Sequence, residues 1–196
     1  MRHANVSFEE INVSLFTREG SDLIEKWCPA KRVPVLHDGP LVLWDSMAIC
    51  EYIADKVTDQ PLWPESSDQR ARARAISAEM HSGFADMRRA MPMNCRRVVK
   101  GFTPSLEAQI DVNRIVQLFE DALQQSGGPW LFGDYSVADA MFAPVATRFN
   151  TYGISLPVLS QAYVQRTLDD KPMREWYEAA QNETAVIAKS EIADVL

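Results

Sequence analysis

The chain reads as a small α/β unit followed by an all-α bundle. Three stretches carry that reading. Val33–Trp44 places apolar residues on both sides of Asp38-Gly39-Pro40, the pattern of a β-hairpin. Thr58–Asp68 holds Pro61, Pro64 and the Ser66-Ser67 pair and has no periodicity of its own. Beyond it, apolar residues recur only at helical spacing. The expected division is 1–60 for the α/β unit and 61–196 for the helical one.

Taken in order, Val6–Leu15 alternates loosely through Val6, Phe8, Ile11, Val13 and Leu15, with a slip at Glu9-Glu10, and is expected to be a strand. Gly20–Trp27 is a short helical or irregular segment ended by Pro29. Val33–His37 and Leu41–Trp44 form the hairpin. Ser46 caps a helix running to Lys56, with Ile49, Ile53 and Val57 at core spacing. After the break, Gln69–Met91 reads as one long helix with Ile76, Met80, Phe84 and Met87 on one face; Pro92 helps to end it. Leu106–Gln125 is a second helix, stopped by Gly127-Gly128-Pro129. Val137–Thr151 is a third, and Gln161–Leu168 and Met173–Ala180 are shorter ones. Ser136-Val137-Ala138-Asp139 has the form of a capping box. Pro144 deletes one backbone bond inside the third helix and predicts a bend near Ala140.

Bulk properties exclude several function classes. With 196 residues, of which 46% are hydrophobic, a packed core is within reach. A net charge of −7 argues against nucleic acid as a main partner. No apolar run has transmembrane length, and Met1-Arg2-His3-Ala4-Asn5 opens no signal peptide, so a cytoplasmic protein without a membrane partner is expected. Cys28, Cys50 and Cys95 lack zinc or C-x-x-C spacing, so no metal is expected and the thiols read as free, Cys50 in the core and Cys28 on the approach to the site. The clusters Arg70, Arg72, Arg74 and Arg88, Arg89, Arg96, Arg97 read as solvated or salt-bridged faces.

One block carries chemistry. Proline removes a ladder donor, so Val33-Pro34 within a strand points to a special backbone geometry, a cis bond included. Asp45-Ser46 opens a helix whose first amides lie beside that geometry. Helix amino termini attract anions, so the pair can hold a small peptide-like anion.

Val33-Pro34-Val35-Leu36, Asp45-Ser46-Met47-Ala48-Ile49 and, downstream, Phe132-Gly133-Asp134-Tyr135-Ser136-Val137-Ala138-Asp139 resemble the soluble glutathione S-transferases, in order and at that family's spacings. The resemblance covers nearly the whole chain. It implies a thioredoxin-like N-terminal domain, here incomplete, followed by a helical domain. It implies glutathione as co-substrate, with Val33 pairing the cysteinyl backbone, Pro34 in cis, and Ser46 receiving the γ-glutamyl carboxylate. Asp45, where the family usually has glutamate, would reach the ligand's ammonium group. Arg32 would face the glycyl carboxylate. The box at Ser136 and Asp139 would start the buried central helix and serve folding.

An electrophile pocket is expected from the first helix of the bundle and the central one, with Met80, Phe84, Met87, Met91, Met93, Phe149 and Tyr152 as candidates against their reading as plain core. His81 on the same helix reads as structural. The catalytic residue is not visible. In the family an activating Tyr, Ser or Cys follows a first strand. His3–Glu10 resembles instead the end of the first helix running into the second strand, so Met1 is expected to be an internal start. The functions implied are detoxifying conjugation or reduction of small electrophiles, isomerisation of the maleylacetoacetate type, or a non-catalytic binding module. A homodimer is implied as well, formed between the α/β unit of one subunit and the helical bundle of the other.

Overall fold

A two-residue turn builds the sheet. Gly39, at φ +57, and Pro40 join β1 (Val35–Asp38) to β2 (Leu41–Trp44). Glycine at the first central position with positive φ suits the twist of the two strands. The register pairs Val35 with Trp44, Leu36 with Leu43, His37 with Val42 and Asp38 with Leu41. The computed structural model describes residues 1–192. It groups the chain into two compact units, Met1–Leu62 and Trp63–Leu196.

In the first unit, α1 (Arg18–Trp27) starts where the Thr17 hydroxyl accepts from the Gly20 amide at 3.0 Å. It begins two residues ahead of the expected segment. α2 (Ser46–Lys56) packs on both strands and buries Ile53. The Tyr52 hydroxyl ties α2 to the hairpin by donating to Asp38 Oδ2 at 2.6 Å, with Lys56 3.6 Å from the same oxygen. Tyr52 first and Lys56 second hold the Asp38 carboxyl below its usual range.

The strand expected over Val6–Leu15 does not form. A strand exists through its ladder, and among the described residues only β1 and β2 pair as strands. The slip at Glu9-Glu10 breaks the alternation, and Phe8, Ile11 and Leu15 are exposed. β1 also starts at Val35, leaving Val33 and Pro34 ahead of the ladder.

In the second unit, the helix expected over Gln69–Met91 is two: α3 (Ser67–Ser82) and α4 (Ala85–Ala90). The break is at Gly83-Phe84. A Cβ on Gly83 would stand 2.7 Å from the Glu79 carbonyl oxygen, and buried Phe84 takes a left-handed φ of 59. The freed amides of α4 are capped from another helix. Asp111 of α5 (Leu106–Ser126) accepts from Asp86 N at 3.1 Å and Met87 N at 2.9 Å. A second cap of this kind joins α5 to α7 (Val158–Asp169), where Glu120 accepts from the Ser160 amide at 2.9 Å and its hydroxyl at 2.6 Å.

α6 (Val137–Thr151) packs against α3 and α7. The helix runs unbroken through Pro144, whose carbonyl accepts from the Arg148 guanidinium at 3.0 Å. At its start, Asp139 Oδ2 accepts from Ser136 N at 2.8 Å and Ser136 Oγ at 3.0 Å, while Oδ1 accepts from Leu131 N at 3.1 Å. The core centres on Phe119, whose ring lies 4.8 Å from Tyr163 and 5.2 Å from Phe142, both edge-on. α8 (Lys171–Asn182) packs on α7, and a short 3-10 turn follows at Ala188–Ser190.

Candidate functional site

The Val33–Pro34 peptide bond is cis. Val35 and Trp44 are the last paired residues at that end of the hairpin. Pro34 immediately precedes that pair on one strand and Asp45 immediately follows it on the other, so the proline segment and the amino end of α2 leave the sheet at the same end. Val33 is 46% exposed there, and Pro34, Arg32 and Asp45 are exposed too.

Asp45, rather than the expected Ser46, is the cap of α2. Its Oδ1 accepts from the Met47 amide at 2.9 Å, and Ser46 is the first helical residue. Asp45 adopts φ 74, ψ 129, an unusual conformation for a side-chain-bearing residue, worth about 1–3 kcal/mol of strain. Sequence alone does not separate the two roles, because aspartate and serine are both strong cap formers and stand side by side. The consequence is chemical. With Asp45 serving Met47, half-buried Ser46 keeps its amide and hydroxyl without a partner among the described residues. Both are donors at a helix amino terminus, where the peptide dipoles favour negative charge.

Seven residues are expected to wall an electrophile pocket. Met80, Phe84, Met87, Phe149 and Tyr152 are all buried, at 7% exposure or less. Phe84 caps α4, and the Tyr152 hydroxyl donates to the Pro92 carbonyl at 2.9 Å. Their burial fits the reading as core of the helical unit. Met91 is likewise fully buried, while Met93 and His81 are half-buried.

The arginine clusters are engaged largely by carbonyl oxygens. Arg70 donates to Pro64 O and Glu65 O, Arg88 to Met80 O and His81 O, and Arg96 to Glu183 O and Ala185 O. Arg89 pairs with Asp86 at 2.7 Å, and Arg74 lies over the Trp63 ring. The three cysteines are free. Cys28 is buried, and burial pushes the thiols of half-buried Cys50 and Cys95 upward, away from reactivity. Among the described residues no group of three His, Cys, Asp or Glu side chains is placed to hold a metal, and no helix is long and apolar enough to cross a membrane.

Comparison with known proteins bears on this geometry. Residues 1–55 match the glutathione S-transferase N-terminal domain, and residues 69–179 match the glutathione S-transferase C-terminal domain. A probable maleylacetoacetate isomerase of Caenorhabditis elegans is 29% identical over 171 residues, covering 86% of this chain and 79% of that protein. Glutathione S-transferase Z2 of Arabidopsis thaliana is 28% identical over 171 residues, covering 81% and 74%. A crystal structure of a glutathione transferase homolog from Burkholderia gl BGR1, with bound glutathione, shares the fold at a TM-score of 0.71 and 20% identity, covering 93% of this chain and 88% of that one. The C-terminal match alone spans more than half of the chain, and it follows the N-terminal match in the order the two units take here. The chain belongs to the glutathione S-transferase family.

Proposed function

We propose that the chain binds glutathione at the junction of Val33-Pro34 and Asp45-Ser46 and presents its thiol to a small electrophile for conjugation or reduction. The observation that carries this is the hairpin register, whose last pair is Val35 with Trp44: the cis Val33-Pro34 segment and the Asp45-Ser46 helix start leave the sheet at the same end. In this reading Val33 pairs with the cysteinyl backbone in the manner of an added strand. The Ser46 amide and hydroxyl take the γ-glutamyl carboxylate. The Asp45 carboxylate accepts from the ligand's ammonium. Arg32 takes the glycyl carboxylate.

No activating residue is assigned. A thiol with a pKa of about 8.5 is only a few per cent thiolate at neutral pH, so binding alone gives slow chemistry and an activating group sets the rate. The reading includes a cytoplasmic location, supported by three free thiols, and a homodimer, supported by exposed Leu106 and Ile110 on one face of α5. Retention on glutathione-agarose followed by turnover of a chlorodinitrobenzene-type substrate tests the reading. Retention with turnover supports the enzyme, retention without turnover supports a binding module, and no retention rejects the site.

A second reading is a glutathione-dependent isomerase. What favours it is that the relative from Caenorhabditis elegans, aligned over 79% of its length, is named a probable maleylacetoacetate isomerase. Glutathione would then be regenerated at each turnover rather than consumed, and an isomerisation assay at sub-stoichiometric glutathione separates the two readings.

A further inference from the structure

The segment after α8 is held by polar contacts. Val186 and Ile187 are exposed, so apolar burial does not fix it. Among the described residues, one short loop of the same unit, residues 94–97, holds it. Arg96 donates to Glu183 O at 2.5 Å and to Ala185 O at 3.3 Å. Asn94 Nδ2 donates to Glu191 Oε1 at 3.0 Å, and Arg97 Nη1 lies 3.6 Å from Glu191 Oε2. One carboxylate is thus gripped at both oxygens, by an amide on one side and a guanidinium on the other.

The surroundings are positive. The charges of Arg148, Arg97 and Glu191 all act on the Tyr152 hydroxyl, and that of Arg88 acts on Arg148. Arg148 donates to Met91 O at 2.8 Å and Pro144 O at 3.0 Å, and Arg88 donates to two carbonyls. Carbonyl oxygens satisfy the donors without cancelling their charge. Burial, with the like charge of Arg88 second, brings the Arg148 guanidinium down to about 10. A chain of net charge −7 therefore sets Arg97 against this carboxylate, with Arg148 acting on the same Tyr152 hydroxyl as both.

We propose that Asn94 and Arg97 form a carboxylate-binding site on the helical unit, filled in this structure by the chain's own Glu191, and that a small carboxylate ligand exchanges with the 183–192 segment there. The Arg97–Glu191 pair suits exchange, because both side chains are about one-third exposed. Ion pairs of that exposure are weak, and a tethered carboxylate competes only through its effective concentration. The site needs neither glutathione nor the α/β unit, so its test is separate from that of the glutathione reading.

The probe is succinate, with succinamide as the uncharged control. Calorimetry on the full chain is expected to show weak succinate binding, about two- to fivefold tighter in Glu191→Gln, where the internal competitor is lost. Arg97→Gln is expected to abolish it. Hydrogen–deuterium exchange of peptides within 183–192 is expected to rise with succinate in the unmodified chain, and succinamide is expected to do neither. Glu191 is about one-third exposed and its replacement is isosteric, so Glu191→Gln is expected to fold normally, with circular dichroism as the check. Equal succinate affinity in Glu191→Gln and the unmodified chain, with exchange of the segment unmoved, overturns the proposal.

Discussion

Asp139 accepts from Ser136 twice at one carboxylate oxygen, from the amide at 2.8 Å and from the hydroxyl at 3.0 Å. Its other oxygen takes the Leu131 amide, so a single buried side chain ties the loop before α6 to the first turn of that helix. Burial pushes its carboxyl up to about 6, against the pull of these donors. The folded chain therefore takes up this proton before the unfolded chain does. The resulting stabilisation is full below about pH 4 and is lost as pH rises through about 6. In urea unfolding at a series of pH values, the advantage of the unmodified chain over Asp139→Asn is expected to shrink by on the order of 2–3 kcal/mol between pH 4 and pH 7. An advantage that grows over that range contradicts the assignment.

The same box gives a second stability test. Ser136→Ala removes the hydroxyl from a buried network and is expected to cost about 0.5–2 kcal/mol. Tyr163 supplies the contrast. Its hydroxyl is buried near Asp139 and Thr167 without a hydrogen bond of ordinary geometry among the described residues, and burial, with the Asp139 charge second, raises its pKa well above the usual value. Tyr163→Phe deletes an unsatisfied polar group while keeping the ring against Phe119. Thermal melts are expected to show it unchanged or more stable by up to about 1 kcal/mol. A loss above that range means the hydroxyl is satisfied in solution.

Asp111 is a cap delivered from a neighbouring helix. Asp111→Ala leaves the Asp86 and Met87 amides of α4 without an acceptor and is expected to cost about 0.5–2 kcal/mol. Because α4 alone loses its cap, hydrogen exchange is expected to rise in residues 85–90 before the rest of the bundle. Uniform loss of protection across the bundle argues against a local role.

Much of this was legible in the chain and some was not. The hairpin was readable because Asp38-Gly39-Pro40 is a strong local turn signal, and α5 and α6 because their apolar spacing is long and regular. The split of α3 from α4 was not, since Met80, Phe84 and Met87 keep helical spacing across it. What divides the helix is a left-handed Phe84 and a carboxylate 25 residues away in sequence, neither of which spacing records. Val6–Leu15 failed for the opposite reason: its alternation was local, and a strand needs a partner. At the site, Val33-Pro34 and Asp45-Ser46 were both visible, but which of Asp45 and Ser46 caps α2 was decided by the φ of 74 at Asp45.

That division of labour at α2 has its own test. Asp45→Asn keeps an oxygen for the Met47 amide and tolerates unusual backbone angles, but removes the charge. Stability is expected to stay within about 0.5 kcal/mol. Glutathione affinity is expected to fall, as the ligand's ammonium loses its anionic partner. Unchanged affinity would remove Asp45 from the site while leaving Ser46 in place.

Isothermal titration of glutathione into the full chain and into Ser46→Ala tests the central claim most directly. In the proposed site the hydroxyl lost in Ser46→Ala would donate to a carboxylate, so binding to the variant is expected to be about 10- to 100-fold weaker than to the unmodified chain, with melting temperature preserved because Asp45 still caps the helix. Equal affinity in the two proteins, or no heat from either, contradicts the placement of glutathione at the Val33-Pro34 and Asp45-Ser46 junction.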